Sequence, residues 1–366
     1  MIDELEKNDC IGCKACKDAC SLKAISFTKD DMGFEVPTID YKVCSGCNRC
    51  TQVCPVQSKK ENNRPEAVRA FAGYNISNER KLSTSGGIFP LLARYIIDKQ
   101  GVVYGAKFDK NFHNIHDRAI TYKDSMEFVG SKYVQSDTSG IYVKIKQDLL
   151  QDKYVLFTGL PCQTEALLSF LGKKYDKLLL VDLVCFGIGS PGIFTNYINE
   201  YYKNTEIKKI IFKDKVTSWK DWKIKIEKSE TVDYYSNREN LYMNSYLKRI
   251  NLRELCYNCK FKGIQRNSDI TIGDCWGIGE ENLKLNDGMG LSSILVHTLK
   301  GMEVFEHIKK DLKYEEYDLN SLMSGNPALY VSSNKPEERK KFAIDYKKYG
   351  IRYVLEKYCV FNNQNN

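Results

Sequence analysis

The chain has 366 residues, of which 42% are hydrophobic and 28% charged, and its formal net charge is +8. These values are typical of a globular protein of two or three domains. The lysines are dispersed along the chain, which argues against a nucleic-acid-binding protein. The sequence contains no run of about 18 apolar residues and no secretory signal, so we expect a cytoplasmic protein without a transmembrane segment.

Eight of the fourteen cysteines lie before residue 55, in two copies of one motif. The copies are Cys10, Cys13, Cys16 and Cys20, then Cys44, Cys47, Cys50 and Cys54. The two-two-three spacing is that of a bacterial two-cluster ferredoxin, where the fourth cysteine of each copy binds the other cluster. We therefore expect one 4Fe–4S cluster on Cys10, Cys13, Cys16 and Cys54, and another on Cys44, Cys47, Cys50 and Cys20. A pair of zinc sites is disfavoured, because zinc ribbons use two cysteine pairs.

The character of the sequence changes after this ferredoxin-type domain, which we place at residues 1–58. Polar residues 59–68 predict a linker. Strands are then predicted at 69–74, 102–108, 154–157, 178–184, 207–212, 222–226, 270–272 and 293–298, and helices at 88–97, 139–150 and 163–171. The prediction is an α+β ferredoxin-type domain followed by a larger α/β domain (69–330) with a mostly parallel or mixed sheet. Residues 331–366 form a C-terminal helix and tail, with Phe342, Tyr346, Tyr349 and Leu355 as its buried stripe.

A turn rich in serine, threonine and glycine precedes the helix predicted at residue 88. It consists of Ser83, Thr84, Ser85, Gly86 and Gly87. Free backbone N–H groups and the helix dipole make such a turn a binding site for a phosphate. The same residue types also serve simply to cap helices, so the turn alone leaves both interpretations open.

Four later cysteines come from three segments of the larger domain. Cys162 and Cys185 each follow a predicted strand, at the edge where α/β sheets bind ligands. Cys256 and Cys259 form a separate pair. Together they suggest a third cluster. The alternative is two buried free cysteines beside a small zinc or thiol site.

Several segments, in this order, resemble the family of beta subunits of coenzyme F-420 hydrogenase/dehydrogenase. The matching segments span about residues 10–300 and are 83–87, 130–136, 159–163, 181–185, 256–259 and 269–277. The resemblance implies an FAD-dependent iron–sulfur oxidoreductase whose larger domain binds the flavin.

The resemblance also implies roles for individual residues. Ser83, Thr84, Ser85, Gly86 and Gly87 would hold the FAD phosphates. Ser131, Lys132, Tyr133 and Gln135 would lie beside the isoalloxazine, with Gly159 and Pro161 also contacting the cofactor. Lys132 and Asp274 are the candidate catalytic residues. Cys162, Cys185, Cys256 and Cys259 would hold a third 4Fe–4S cluster next to the flavin.

Two positions depart from the family pattern. Phe186 stands where a histidine is expected, and Cys275 stands where an aromatic residue is expected. Losing a polar group near the flavin puts the usual substrate of the family in question. Cys275 is a fifth candidate ligand, which competes with Cys185 for the third cluster.

These features predict an enzyme that passes single electrons through clusters and two electrons between FAD and an organic substrate. Its partner would be an external electron donor or acceptor of the ferredoxin, flavodoxin or deazaflavin type. The alternative is an electron-relay subunit of a larger complex without a substrate of its own. The chain would act as a homo-oligomer or as part of a complex.

Overall fold

A computed structural model describes residues 2–58, 68–277 and 284–360. Most of the predicted linker and residues 361–366 lie outside these ranges. Within them, a small N-terminal unit packs on a larger α/β unit. Across the described ranges, none of the helices has the length and apolar character needed to span a membrane.

The N-terminal unit consists of α1 (Ala15–Ala19), β1 (Ile25–Lys29), β2 (Glu35–Ile39) and α2 (Arg49–Gln52). The two strands form an antiparallel hairpin. Each short helix starts inside a cysteine motif, directly after a left-handed residue: Lys14 before α1 and Asn48 before α2, both with φ of 60°. The two motifs therefore share one backbone turn, as their common spacing predicts.

The larger unit contains eleven of the described strands and nine of the described helices. The strands are β3 (Arg69–Asn75), β4 (Val102–Phe108), β5 (Asn114–Ala119), β6 (Val155–Gly159), β7 (Leu178–Leu183), β8 (Ile207–Asp214), β9 (Lys223–Lys228), β10 (Val232–Tyr235), β11 (Ile270–Asp274), β12 (Ser292–Val296) and β13 (Leu312–Glu316). The helices are α3 (Ile88–Asp98), α4 (Tyr122–Ser125), α5 (Ile141–Leu150), α6 (Pro161–Leu171), α7 (Pro191–Tyr201), α8 (Leu241–Leu247), α9 (Leu299–Ile308), α10 (Leu319–Gly325) and α11 (Arg339–Cys359).

Eight strands form a mixed sheet in the order β13-β3-β12-β11-β7-β6-β4-β5. The central strands β11, β7, β6 and β4 run parallel, and the outer pairings are antiparallel. All five residues of β6 and nearly all of β7 are buried, which explains their continuous apolar runs. A separate antiparallel sheet, β10-β9-β8, follows α7.

The two units share one hydrophobic core. Ile11, Met32 and Phe34 of the N-terminal unit belong to the same apolar cluster as Phe157 and Leu180 of the sheet. The turn of the β1–β2 hairpin also meets the start of α7 so closely that a Cβ on Gly33 would lie 2.6 Å from the Cα of Gly192.

Elements predicted from the sequence lie close to their predicted positions. The sheet is mixed, which is one of the two forms predicted, because β12, β3, β13 and β5 pair antiparallel. Two features of the C-terminal helix differ from the prediction. Helix α11 is broken at Gly350, where φ is 81°. Tyr349 is 50% exposed, so the prediction that it is buried was wrong, whereas Phe342 and Leu355 are buried and Tyr346 is partly buried.

Candidate functional site

A cavity of about 710 Å³ lies at the carboxyl ends of the parallel strands. Its walls include Gly159 at the end of β6, Leu183 at the end of β7 with Cys185 just beyond it, and Asp274 at the end of β11. This is the edge of an α/β sheet where ligands bind, and the volume lies in the range of cofactor and substrate pockets.

Most residues that the family resemblance assigns to the flavin line this cavity. They are Ser83, Thr84, Ser85, Gly87, Ser131, Lys132, Tyr133 and Gly159. Three do not line it: Gly86, Gln135 and Pro161. Pro161 is buried at the first turn of α6, and Gln135 donates from Nε2 to the carbonyl oxygen of Ile11, 3.0 Å away in the N-terminal unit.

The amino end of α3 points to the cavity. Gly87 caps the helix in the left-handed conformation without a side-chain cap, and Ile88 and Phe89 line the cavity. Behind the turn, Lys215 Nζ donates to the carbonyl oxygens of Arg80, Ser85 and Met289 at 2.8–2.9 Å. Burial lowers the pKa of Lys215 to about 8. The uncapped helix N–H groups fit a phosphate group, whereas Lys215 holds the turn in place through its three carbonyl contacts.

Gly86 has a different task from the one expected. Its N–H donates to Ser292 Oγ at 2.9 Å, so this group is already satisfied. A Cβ on Gly86 would lie 2.5 Å from the carbonyl oxygen of Gly73 and 2.7 Å from the nitrogen of Ser292. The glycine therefore lets the turn pack against β3 and β12, and its phosphate-binding role is not supported by this geometry.

Lys132 lines the cavity, but its ammonium group is engaged elsewhere. Nζ donates to the carbonyl oxygens of Glu127, Phe128 and Val129 at 3.0–3.1 Å. Burial lowers the pKa of Lys132 to about 7. The Lys132 ammonium group thus holds together the loop that precedes it, while the residue lines the cavity.

Asp274, the other candidate catalytic residue, is held by groups that the sequence analysis did not single out. Lys213 forms an ion pair with it at 2.7 Å, and Trp219 Nε1 donates to it at 3.4 Å. Trp219 stacks on Trp276 with ring centroids 4.4 Å apart. Lys213 and Trp276 also line the cavity. Lys213 and Trp219 lie on β8 and just before β9, far from the motifs, and no local pattern marks them.

His116 is a further cavity residue that the sequence analysis missed. Its Nε2 lies 3.0 Å from the carbonyl oxygen of Thr158, which only accepts, so Nε2 carries the proton. Burial lowers the pKa of His116 to about 4. The imidazole is therefore neutral near pH 7.

The cysteines of the N-terminal unit are grouped across the two motifs. The pKa of Cys16 is raised by burial and then by the neighbouring thiols of Cys10 and Cys54. Cys13 has the same neighbours. The fourth cysteine of the second motif thus joins three of the first, as the predicted ligand exchange requires.

The four later cysteines lie near one another, with Cys162 and Cys256 buried and Cys185 and Cys259 partly buried. The pKa of Cys162 is raised by burial, then by Cys185, Cys259 and Cys256, and last by Cys13 of the N-terminal unit. Clustered thiols of this kind stay protonated unless a positive centre compensates them, and an iron–sulfur cluster does so. The donor set therefore fits a cluster.

Cys275 lies apart from this group. It packs with Leu291 and Leu295, in a different apolar cluster from the one that contains Cys162 and Cys256. Its pKa is raised by burial and by Asp274. Cys185, by contrast, lies near the other three later cysteines and also lines the cavity.

The fold and site are those of an iron–sulfur redox protein. Residues 9–58 match the family described as "4Fe-4S dicluster domain". Residues 152–321 match the family described as the C terminus of the coenzyme F420 hydrogenase/dehydrogenase beta subunit. Residues 152–321 of the larger domain are therefore similar to that family, in line with the motifs, and the chain also carries a dicluster domain.

Individual relatives are distant. One of the subunits of the F(420)H(2) dehydrogenase of Methanosarcina mazei is 20% identical over 50% of this chain, and the match spans 55% of that relative. Archaeal-type glutamate synthase [NADPH] of Dehalococcoides mccartyi is 28% identical over 33% of this chain and 23% of its own length. A chain from the F420-reducing NiFe hydrogenase complex of Methanosarcina barkeri overlays with a TM-score of 0.47 and 16% identity, covering 80% of this chain and 91% of that one.

Proposed function

We propose that this protein is an FAD-dependent iron–sulfur oxidoreductase. Single electrons enter or leave at the N-terminal clusters, pass a third cluster on Cys162, Cys185, Cys256 and Cys259, and meet a flavin in the cavity. The flavin supplies two-electron exchange with an organic substrate. The observation that carries this proposal is the position of Cys185, which lies near the other three later cysteines and also lines the cavity.

The arrangement of the cysteines supports a route between surface and cavity. Cys47 of the second motif is exposed, whereas Cys10, Cys16 and Cys54 are buried. Cys13 in turn neighbours Cys162. An electron carrier in solution would thus meet the outer cluster first.

Residues of the cavity support an anionic cofactor at one end and an organic substrate at the other. The amino end of α3 faces one part of the wall, with Lys215 behind its turn. The Lys213–Asp274 pair and the ring of Trp276 form another part. The aromatic ring provides an apolar contact, and the ion pair provides one donor and one acceptor for orienting a substrate.

The test is composition and electron transfer in anaerobically purified protein. We expect about twelve irons, twelve labile sulfides and one FAD per chain. The double variant Cys256→Ser/Cys259→Ser should lose about four irons and keep the N-terminal clusters. It should also fail to pass electrons from those clusters to a flavin that still binds. Unchanged iron in the double variant, or zinc in place of iron and sulfide, contradicts the proposal.

A relay protein without a substrate, working inside a complex, is the second candidate. It is favoured by one observation: the relative from Methanosarcina mazei is named as one of the subunits of a dehydrogenase. Partners inside such a complex would then accept the electrons. Flavin content and a screen of organic acceptors with the isolated chain separate the two candidates, because a relay without bound flavin reduces no organic substrate by itself.

A further inference from the structure

One arginine joins the two groups of cysteines that belong to different units. Arg253 is only 3% exposed. Its Nε donates to the carbonyl oxygen of Cys10 at 2.6 Å, and Nη2 donates to that of Glu35 at 2.7 Å. The guanidinium also lies over the ring of Phe34, 5.1 Å from its centroid. Arg253 comes from the larger unit, so all three contacts cross the domain boundary.

The other side of this arginine is tied to the later cysteines. Its carbonyl oxygen accepts from the N–H of Cys256 at 3.0 Å, and its N–H donates to the carbonyl oxygen of Ile188 at 2.9 Å. The N–H of Ile188 in turn donates to Cys256 Sγ at 3.3 Å. Arg253 therefore shares one small network of hydrogen bonds with Cys256 and, through its side chain, with Cys10.

A second residue completes the contact. Gln135 accepts from Arg253 Nη1 at 2.7 Å and donates to the carbonyl oxygen of Ile11 at 3.0 Å. The neighbouring Gly12 has φ of 67°, and a Cβ there would lie 2.6 Å from Gln135 Nε2 and 2.8 Å from Arg253 Nη1. The loop of the first cysteine motif thus lies against these two side chains, so a larger residue at position 12 would displace them and would also be strained by the positive φ.

The contacts with Arg253 and Ile11 explain why Gln135 does not line the cavity, although it belongs to the 130–136 segment. The contact also places the charged guanidinium of Arg253 at a buried position where an apolar side chain would otherwise pack. A buried guanidinium with all its nitrogens donating is well satisfied and holds its three partners in a fixed arrangement. Loss of one partner would leave buried donors unpaired, so the contact is not a loose surface pairing.

We infer that Arg253, with Gln135, is the positioning residue that holds the ferredoxin cluster of Cys10, Cys13, Cys16 and Cys54 against the cluster of Cys162, Cys185, Cys256 and Cys259. The inference rests on the proposed function. In the step concerned, one electron leaves one cluster, which is oxidised, and enters the other, which is reduced. No bond forms or breaks and no proton moves. Arg253 acts on this step by fixing the separation of the two clusters.

The test compares Arg253→Met, Arg253→Lys and Gln135→Leu with the wild type in the complete, cluster-loaded protein. Arg352→Met, an exposed arginine on α11 paired with Glu200, is the matched control. The readouts are iron content, the magnetic interaction between the reduced clusters in electron paramagnetic resonance, and the rate at which electrons pass from the N-terminal clusters to the flavin.

We expect Arg253→Met to keep about twelve irons, to weaken the magnetic interaction and to slow electron transfer severalfold, because the rate of electron transfer falls as two clusters move apart. Arg253→Lys should recover part of both signals, and Arg352→Met should match the wild type. Unchanged interaction and rate in Arg253→Met overturn the inference.

Should Arg253→Met fail to fold, Gln135→Leu decides: a weaker interaction supports the inference, and an unchanged one overturns it. The wild type reports separately on the proposed function. If the wild type holds about eight irons and shows no flavin reduction, the three-cluster route is refuted, and the positioning role of Arg253 is refuted with it. If the wild type holds about twelve irons but Arg253→Met leaves the magnetic interaction unchanged, only the positioning role of Arg253 is refuted.

Discussion

Cys185 and Cys275 both follow central strands of the sheet, yet their side chains lie in different surroundings. Cys185 neighbours Cys259 and Cys256, whereas Cys275 packs with Leu291 and Leu295. The difference arises because the side chains at the ends of β7 and β11 are directed to different parts of the core. Spacing along the chain does not reveal this, because both cysteines satisfy the same strand-end pattern.

The matched variants Cys185→Ser and Cys275→Ser test this distinction. Cys185→Ser should lose about four irons, because a hydroxyl is a poor ligand for a cluster. Cys275→Ser should keep its iron and lose about 1–2 kcal/mol of stability from burying a hydroxyl. Iron analysis and urea unfolding of the two proteins provide the measurements. Iron loss in Cys275→Ser with full iron in Cys185→Ser would reverse the assignment.

We expect the Lys132 side chain to stabilise the loop that contains Glu127, Phe128 and Val129. Replacing it with methionine leaves the carbonyl oxygens of Glu127, Phe128 and Val129 without their donor. The free energy of unfolding should fall by about 2 kcal/mol, as expected for the loss of hydrogen bonds from a charged, partly buried donor. Urea unfolding measures this, with the exposed Lys144→Met on α5 as the control. Equal stability of the two variants would show that the three contacts contribute nothing.

At the scale of elements, the sequence predicted what depends on local pattern. The cysteine spacing marks the turns before α1 and α2, and the continuous apolar runs mark β6 and β7. The contributions of Lys213 and Trp219 were not predictable in this way. They come from the β8–β10 sheet, whose placement over the cavity depends on packing between segments far apart in the chain.

Two buried histidines make the sheet sensitive to acid. Burial lowers the pKa of His116 on β5 to about 4 and that of His297, just after β12, to about 3, from an ordinary value of 6.5. Between pH 6.5 and about 4 the unfolded chain binds more protons than the folded one. The free energy of unfolding therefore falls as the pH falls, by up to about 1.4 kcal/mol per pH unit for each histidine.

Urea unfolding between pH 7.5 and 4.5 measures this slope. His116→Gln and His297→Gln should each flatten it relative to the wild type. Leu156→Ala, a fully buried change on β6, should lower stability at every pH but keep the slope. An unchanged slope in both histidine variants would mean that these groups do not govern the acid sensitivity.

At the scale of the whole molecule, the shared core predicts that the two units unfold together. Ile11, Met32 and Phe34 would be exposed if the N-terminal unit separated from the sheet. Native-state hydrogen exchange in rising urea should therefore give the β1–β2 hairpin and β6 the same midpoint. Phe34→Ala should lower both midpoints together, by about 3–5 kcal/mol in free energy of unfolding.

An earlier opening of the hairpin, with β6 still protected, would contradict this cooperative behaviour. It would also favour study of residues 1–58 as an independent domain. The shared core argues against that design, because a fragment ending at residue 58 exposes the apolar side chains that pack on the larger unit.

The contact between Gly33 and Gly192 bears on the construction of chimeric proteins. A Cβ on either glycine would come within 2.6 Å of the other's Cα, and Gly33 also has φ of 78°. A donor ferredoxin grafted onto this larger unit must therefore bring a glycine at the hairpin turn, whatever the similarity of its cysteine motifs. Compatibility between exchanged domains thus depends in part on a residue that lies outside both cysteine motifs.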